Sequence, residues 1–462
     1  MRAKNDNFIG GYMIMRKMSI IEKITSGALA LALLGSVALC GCTNGAGQSA
    51  GGRQNNSEGQ PELVTEVQHL AYAVRPETPP DREQRMMDSE GNSEAVKAFS
   101  ENLLPALMVS DNQNKVVSPI NIYLAFAMLS ETTDGKTRQQ ILDALGCSDI
   151  DDLRVKAEAL LRANDFYYDS FASQIANSLW LRDDDRVSYV QDTLDYIAQN
   201  YRADSFSGPM GTPEMNKALQ TWLNDNTGGL LTEQASGIKT NTDTMLALAS
   251  TIYFKASWVD KFGDAVPGTF YGIDGEIPCD MMTRGDCWRY YMGEKFDAAS
   301  VGIESGYSMW VLLPKEGILP EELITDEEAM RVIYYDKYDD ERRKVILTMP
   351  RFDINSDLDI IGGMEKMGIT DVLNPKKSDF TPLTSDKKAQ IYISQAQHAA
   401  RVITDEYGVL AAAYTILDLR DSAGAPPRNE TLIIIADRPF LFAIKGADHS
   451  LLFIGTVYSP EG

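Results

Sequence analysis

The sequence predicts an α+β fold. Two observations carry that prediction: helical periodicity fills the first part of the ordered stretch, and apolar strand-like runs dominate the later part. A third, the lack of any repeat at a solenoid or propeller period, argues for one large domain rather than an array.

The elements follow in chain order. Apolar residues recur at three- and four-residue spacing over 93–109, 119–130, 136–145 and 151–162, and each stretch reads as an amphipathic or buried helix. Pro119 suits a first helical turn, and Gly146 stops the third helix. Strand patterns come later. The run 243–254 ends in aromatic and β-branched residues, 307–313 is almost continuously apolar, and 431–435 and 440–444 read as fully buried strands.

Upstream of this domain, Arg16, Lys17 and Lys23 precede an apolar run over 28–39. That run is too short for a membrane span of about 20 residues and suits the core of a signal peptide. It leads into Leu39-Cys40-Gly41-Cys42, which resembles a bacterial lipobox with Cys42 as the lipidated residue. A plain secretory signal is the alternative. The stretch 43–92 is rich in Gly, Ser, Gln, Pro and charge and reads as a flexible tether. The expected plan is a lipoprotein signal peptide over 1–42, a tether over 43–92 and a folded domain over 93–462. Its expected location is the bacterial cell surface, or the medium if the anchor is released.

With 43 basic against 66 acidic residues the chain carries a formal charge of −23. Such a polyanion repels phosphate backbones, so nucleic acid is excluded as a partner, and cationic proteins are favoured. Three histidines and five cysteines leave little material for a metal site. Cys147, Cys279 and Cys287 are expected as thiols, because an extended segment between the last two would hold them beyond disulfide reach. No G-x-S-x-G, Walker A, H-E-x-x-H or C-x-x-C motif occurs. The expectation is a protein that is not an enzyme and uses no cofactor or metal.

A specific resemblance then emerges. Ser118-Pro119-Ile120-Asn121, Gly135-Lys136-Thr137, Asn177-Ser178-Leu179-Trp180, Tyr253-Phe254-Lys255-Ala256-Ser257-Trp258, Met349-Pro350-Arg351-Phe352 and Asp437-Arg438-Pro439-Phe440 stand in the order of serpin motifs. The collinear match runs from about Ser93 to Pro460, and the chain resembles a bacterial, lipoprotein-type serpin. The resemblance implies eight to nine helices around three β-sheets with an exposed reactive-centre loop. It also implies a monomer that traps serine proteases as a covalent acyl-enzyme.

Within the resemblance, Glu406, Gly408, Val409, Ala411, Ala412 and Ala413 match the hinge before the reactive loop, which spans about 406–430. By pattern alone the alanine triplet reads as helix. As an inserted strand, Val409, Ala411 and Ala413 would share one face, and before cleavage the loop is expected to lie outside the sheet. The family's spacing places the reactive bond at Ser422-Ala423, which suits an elastase-like enzyme; Arg420-Asp421, suited to a trypsin-like one, is the alternative. Arg351 is implied to pair with Glu406 above Trp258 where the sheet opens. Ser118, Asn121, Ser250 and His398 are implied to meet under its centre. Val409, Leu410 and Tyr414 depart from the hinge pattern, which keeps a non-inhibitory binding protein as a further reading; an inhibitor of papain-like cysteine proteases acting through the same loop is another.

Overall fold

The computed structural model describes residues 67–76, 93–108, 111–167, 171–185, 187–287, 289–339, 341, 343–386, 390–409 and 431–461. The expected signal peptide with Cys42, most of the stretch read as a tether, Ala411 to Ala413 and both candidate bonds, Arg420-Asp421 and Ser422-Ala423, lie outside the described residues. Nine α-helices and three sheets are present among those described, and the α+β class holds.

The helices read from periodicity are there: α1 (Ser93–Leu107), α2 (Pro119–Glu131), α3 (Gly135–Ala144) and α4 (Ile150–Asn164). Every residue of α2 is buried, as expected for a helix that is apolar all round. Asp149 caps α4 by accepting from the backbone N–H groups of Asp151 and Asp152.

The largest sheet contains β1 (Gln68–Ala71), β5 (Ala203–Gly208), β4 (Ala172–Arg182), β6 (Leu246–Ser257), β15 (Gly408–Val409), β14 (Ile393–Thr404) and β13 (Phe352–Asp359) in that order, with β3 (Phe166–Tyr167) paired to β4. One face packs on α2 and the main core. The other is covered by α6 (Pro213–Asp225), whose Met215, Leu219, Trp222 and Leu223 cluster with Trp180, Ala247, Ala249 and Ala399. Period-two alternation puts those small alanines on one face, which lets the helix lie close.

A second sheet orders β2 (Lys115–Val117), β18 (Leu451–Val457), β17 (Phe440–Lys445), β11 (Ser308–Pro314), β10 (Phe296–Gly302) and β9 (Arg289–Met292). Strand β17 is buried throughout, as its composition predicts. The third orders β16 (Thr431–Ile435), β12 (Lys344–Pro350), β8 (Gly275–Cys287) and β7 (Val266–Gly272). Cys279 and Cys287 both lie on β8, so extended geometry keeps them apart.

Three expectations are corrected. The strand expected over 243–254 starts at Leu246 and runs on to Ser257. The stretch read as tether contains β1, which pairs antiparallel with β5. Long-range polar contacts hold it there. His69 Nε2 lies 3.0 Å from Asp204 Oδ1, and Arg75 Nη1 donates to both Asp165 oxygens at 2.6 Å. Finally, β16 is not fully buried: Ile433 is 62 % and Ile435 44 % exposed. It is the outer strand of its sheet, so only alternate residues meet the core.

Candidate functional site

The central pair of the large sheet, β6 and β14, runs parallel. Their pairing begins at Leu246 with Ile393 and ends at Thr251 with Ala399. Beyond that point the strands take a third partner between them. Gly408 pairs with Ser257 and Val409 with Ala256 on one side, while Val409 pairs with Thr404 on the other. The hinge expected outside the sheet therefore already has Gly408 and Val409 inside it.

The local sequence explains why. A Cβ on Gly408 would lie 2.1 Å from Ala256 O and 2.8 Å from Ser257 Cα, so only glycine tolerates this approach to β6. Val409 is 1 % exposed and joins the main core. Between β14 and β15 the chain reverses through Asp405, whose Oδ1 accepts from the N–H groups of Tyr407 at 2.8 Å and Gly408 at 3.0 Å. Short aspartates favour such turns because they satisfy backbone donors two and three residues on.

Arg351 and Glu406 come together above this turn. Arg351 donates Nε to Glu406 Oε2 at 2.8 Å and Nη2 to Oε1 at 2.6 Å, a bidentate pair. Its Nη1 reaches Asp280 Oδ2 at 3.1 Å. The guanidinium holds the Glu406 carboxyl below its ordinary range, whereas burial raises that of Asp405. Trp258 closes the arrangement: its indole N–H donates to Asp405 O at 2.8 Å and its backbone N–H to Tyr407 O at 2.9 Å. Phe262 N–H donates to Glu406 O at 2.9 Å. The turn is thus tied on three sides.

Under the closed half of the sheet, three of the four expected polar residues meet. Ser118 N–H donates to His398 Nε2 at 3.0 Å, and Ser250 Oγ lies 3.2 Å from His398 Nδ1. Because Nε2 accepts, a neutral ring carries its proton on Nδ1 and donates it to Ser250. Burial lowers the His398 pKa to about 3, so that tautomer is the resting state. Asn121 is fully buried on α2 but makes no side-chain hydrogen bond among the described residues.

Sequence reasoning missed several members of both groups. Asn177 of β4 stands opposite Ser250 in register, buried and without a side-chain partner among the described residues. Its motif with Trp180 was the available signal. Asp280 and Asp405 carry no pattern of their own, although Asp405 directly precedes Glu406. The described residues contain no group of histidine, cysteine and carboxylate side chains able to hold a metal.

Comparison with known proteins agrees with this geometry. Residues 94–460 match the family described as Serpin (serine protease inhibitor). Plasminogen activator inhibitor 1 of Neovison vison is 26% identical over 379 residues, covering 79% of this chain and 91% of that one. An uncharacterized serpin-like protein of Methanosarcina acetivorans is 27% identical over 387 residues, covering 79% and 86%. Among solved structures, the native state of the thermophilic serpin tengpin superposes with a TM-score of 0.70 at 24% identity, covering 84% of this chain and 97% of that one. The family match spans most of the sequence and includes both residue groups described above, and the chain belongs to the serpin family.

Proposed function

We propose that this serpin is an irreversible, suicide-type inhibitor of serine proteases with an elastase-like preference. The observation that supports this reading best is β15. Hinge residues Gly408 and Val409 already occupy the opening between parallel strands β6 and β14, and further insertion extends an existing ladder rather than nucleating a new one.

The chemistry belongs to the attacking protease. Its serine oxygen adds to the Ser422 carbonyl, the bond to Ala423 breaks, and Ala423 leaves as an amine while Ser422 stays esterified. Freed at that end, the loop continues past Val409 between β6 and β14. Each added backbone hydrogen bond contributes about 1 kcal/mol net, and apolar burial adds about 25 cal/mol per Å². The acylated enzyme moves with the loop end, and its hydrolytic step fails. The uncleaved fold is therefore held kinetically, and a lipid on Cys42 would keep it at the cell surface. Changing Cys42 to Ala should then move the protein from membranes to the medium.

Mixing the protein with elastase, trypsin and papain and running a denaturing gel tests the reading. A band at the summed mass with elastase, and a released peptide beginning at Ala423, is the expected result. A peptide beginning at Asp421 moves the bait to Arg420. A complex with papain alone makes the target a cysteine protease, and no stable band with any enzyme replaces inhibition by a non-inhibitory binding role.

A further inference from the structure

The outward face of the third sheet carries an uncovered apolar group. Ile433 and Ile435 project from β16, while Ile434 between them is buried. Ile346 of β12 stands beside Ile433, and Thr348 stands beside Ile435 and then Thr283. The two threonine hydroxyls lie 3.0 Å apart. These neighbours are uncharged. Strand β16 is also an edge, bordered by β12 alone in its sheet. Bare isoleucines on an edge strand attract a partner.

Chain continuity says which partner. Strand β16 begins at Thr431, directly after residues 410–430. Ser422 lies nine residues before it and Arg420 eleven, so even a fully extended chain separates either bond from β16 by at most about 30 to 40 Å. A protease domain of ordinary size is itself about 40 Å across. An enzyme engaged at either bond is therefore tethered within about one protease diameter of this face. A second copy of the chain fits less well, because each copy carries −23 and the two would repel.

We propose that Ile346, Ile433 and Ile435 form a second docking surface for the protease that the loop captures, contacting an apolar patch on the enzyme before cleavage. This rests on the inhibitory reading above. The surface adds to encounter affinity and takes no part in loop insertion, so it sets how fast the right enzyme is caught rather than how completely it is trapped.

The test compares wild type with an Ile433→Ser, Ile435→Ser double variant and with Val155→Ser, a control whose side chain is 67 % exposed on α4. Whichever of elastase, trypsin and papain the wild type captures serves as the probe, and melting curves verify that both variants fold. The double variant should form complex on the order of tenfold more slowly in the second-order rate constant. Its final yield of complex per mole should match wild type, and the control should match wild type in both. Equal rates with normal complex overturn this surface while leaving the inhibitory reading intact. So does an unchanged rate accompanied by loss of self-association in sedimentation, which would make the face a contact between copies. A wild type that forms no complex with any of the three overturns both.

Discussion

Replacing Gly408 with Ala probes the hinge where it enters the sheet. The added Cβ would stand 2.1 Å from Ala256 O, against about 3.5 Å for an ordinary contact. The obstacle is backbone, so relief requires β15 to move out by more than about 1 Å, beyond hydrogen-bond range. Leaving the cleft forfeits the pairings of Gly408 with Ser257 and of Val409 with Ala256 and Thr404, at about 1 kcal/mol for each hydrogen bond lost. It also exposes Val409, which costs about 1.5–3 kcal/mol. Together these amount to roughly 4–6 kcal/mol of local stability. Amide hydrogen exchange reads this directly, because the N–H groups of Trp258 and Phe262 donate to Tyr407 O and Glu406 O. Their exchange should rise on the order of 100-fold or more, while α2 keeps its protection. Covalent complex with protease should fall as cleaved product accumulates. Unchanged protection of both amides, together with wild-type complex yield, would mean that the missing side chain at 408 is not what admits the hinge.

Acid should weaken the fold through His398. Its pKa drops from the ordinary 6.5 to about 3, so the folded state disfavours the charged ring and stability is lost as pH falls from 6.5 toward 3, at about 1.4 kcal/mol per unit; His398→Gln should flatten that part of a denaturant-midpoint profile. Glu406 works over a lower window. Its folded pKa lies below the ordinary 4.5, so its contribution is present above that value and disappears as pH falls through the folded pKa. A double-mutant cycle of Arg351→Met and Glu406→Gln, with Arg351 partly exposed, should give a coupling of about 1–2 kcal/mol at neutral pH that declines in acid. On the inhibitory reading, Ala411→Arg should be cut at the same bond but release active protease, because burying an unpaired cation costs several kcal/mol; wild-type complex yield from this variant would count against insertion.

Much of the fold was legible because local pattern and burial agree. Helix α2 is apolar over most of its surface and lies wholly in the core, and the almost continuously apolar stretch 307–313 supplies nearly all of the inner strand β11. Strand β1 was not legible. Only Leu70 and Ala71 of its four residues are apolar, its flanks are rich in proline and glutamate, and what fixes it is a set of partners such as Asp204, 135 positions away from His69. Exposure of Ile433 and Ile435 was equally hidden, since an apolar run does not tell a central strand from an edge. At the candidate site, resemblance pointed to Arg351, Glu406, Trp258 and His398. It did not foretell that β15 starts inside the sheet, which depends on a backbone approach at Gly408 that only the packed strands reveal.

On the inhibitory reading, the intact chain is held short of a more stable state in which its loop fills the space between β6 and β14. Cleaving the loop once, purifying the nicked protein with both pieces associated, and comparing its melting temperature with that of the intact protein tests this most directly. The melting temperature should rise on cleavage by tens of degrees, as expected for insertion of about a dozen residues. A nicked protein that melts at the intact temperature or below would contradict it.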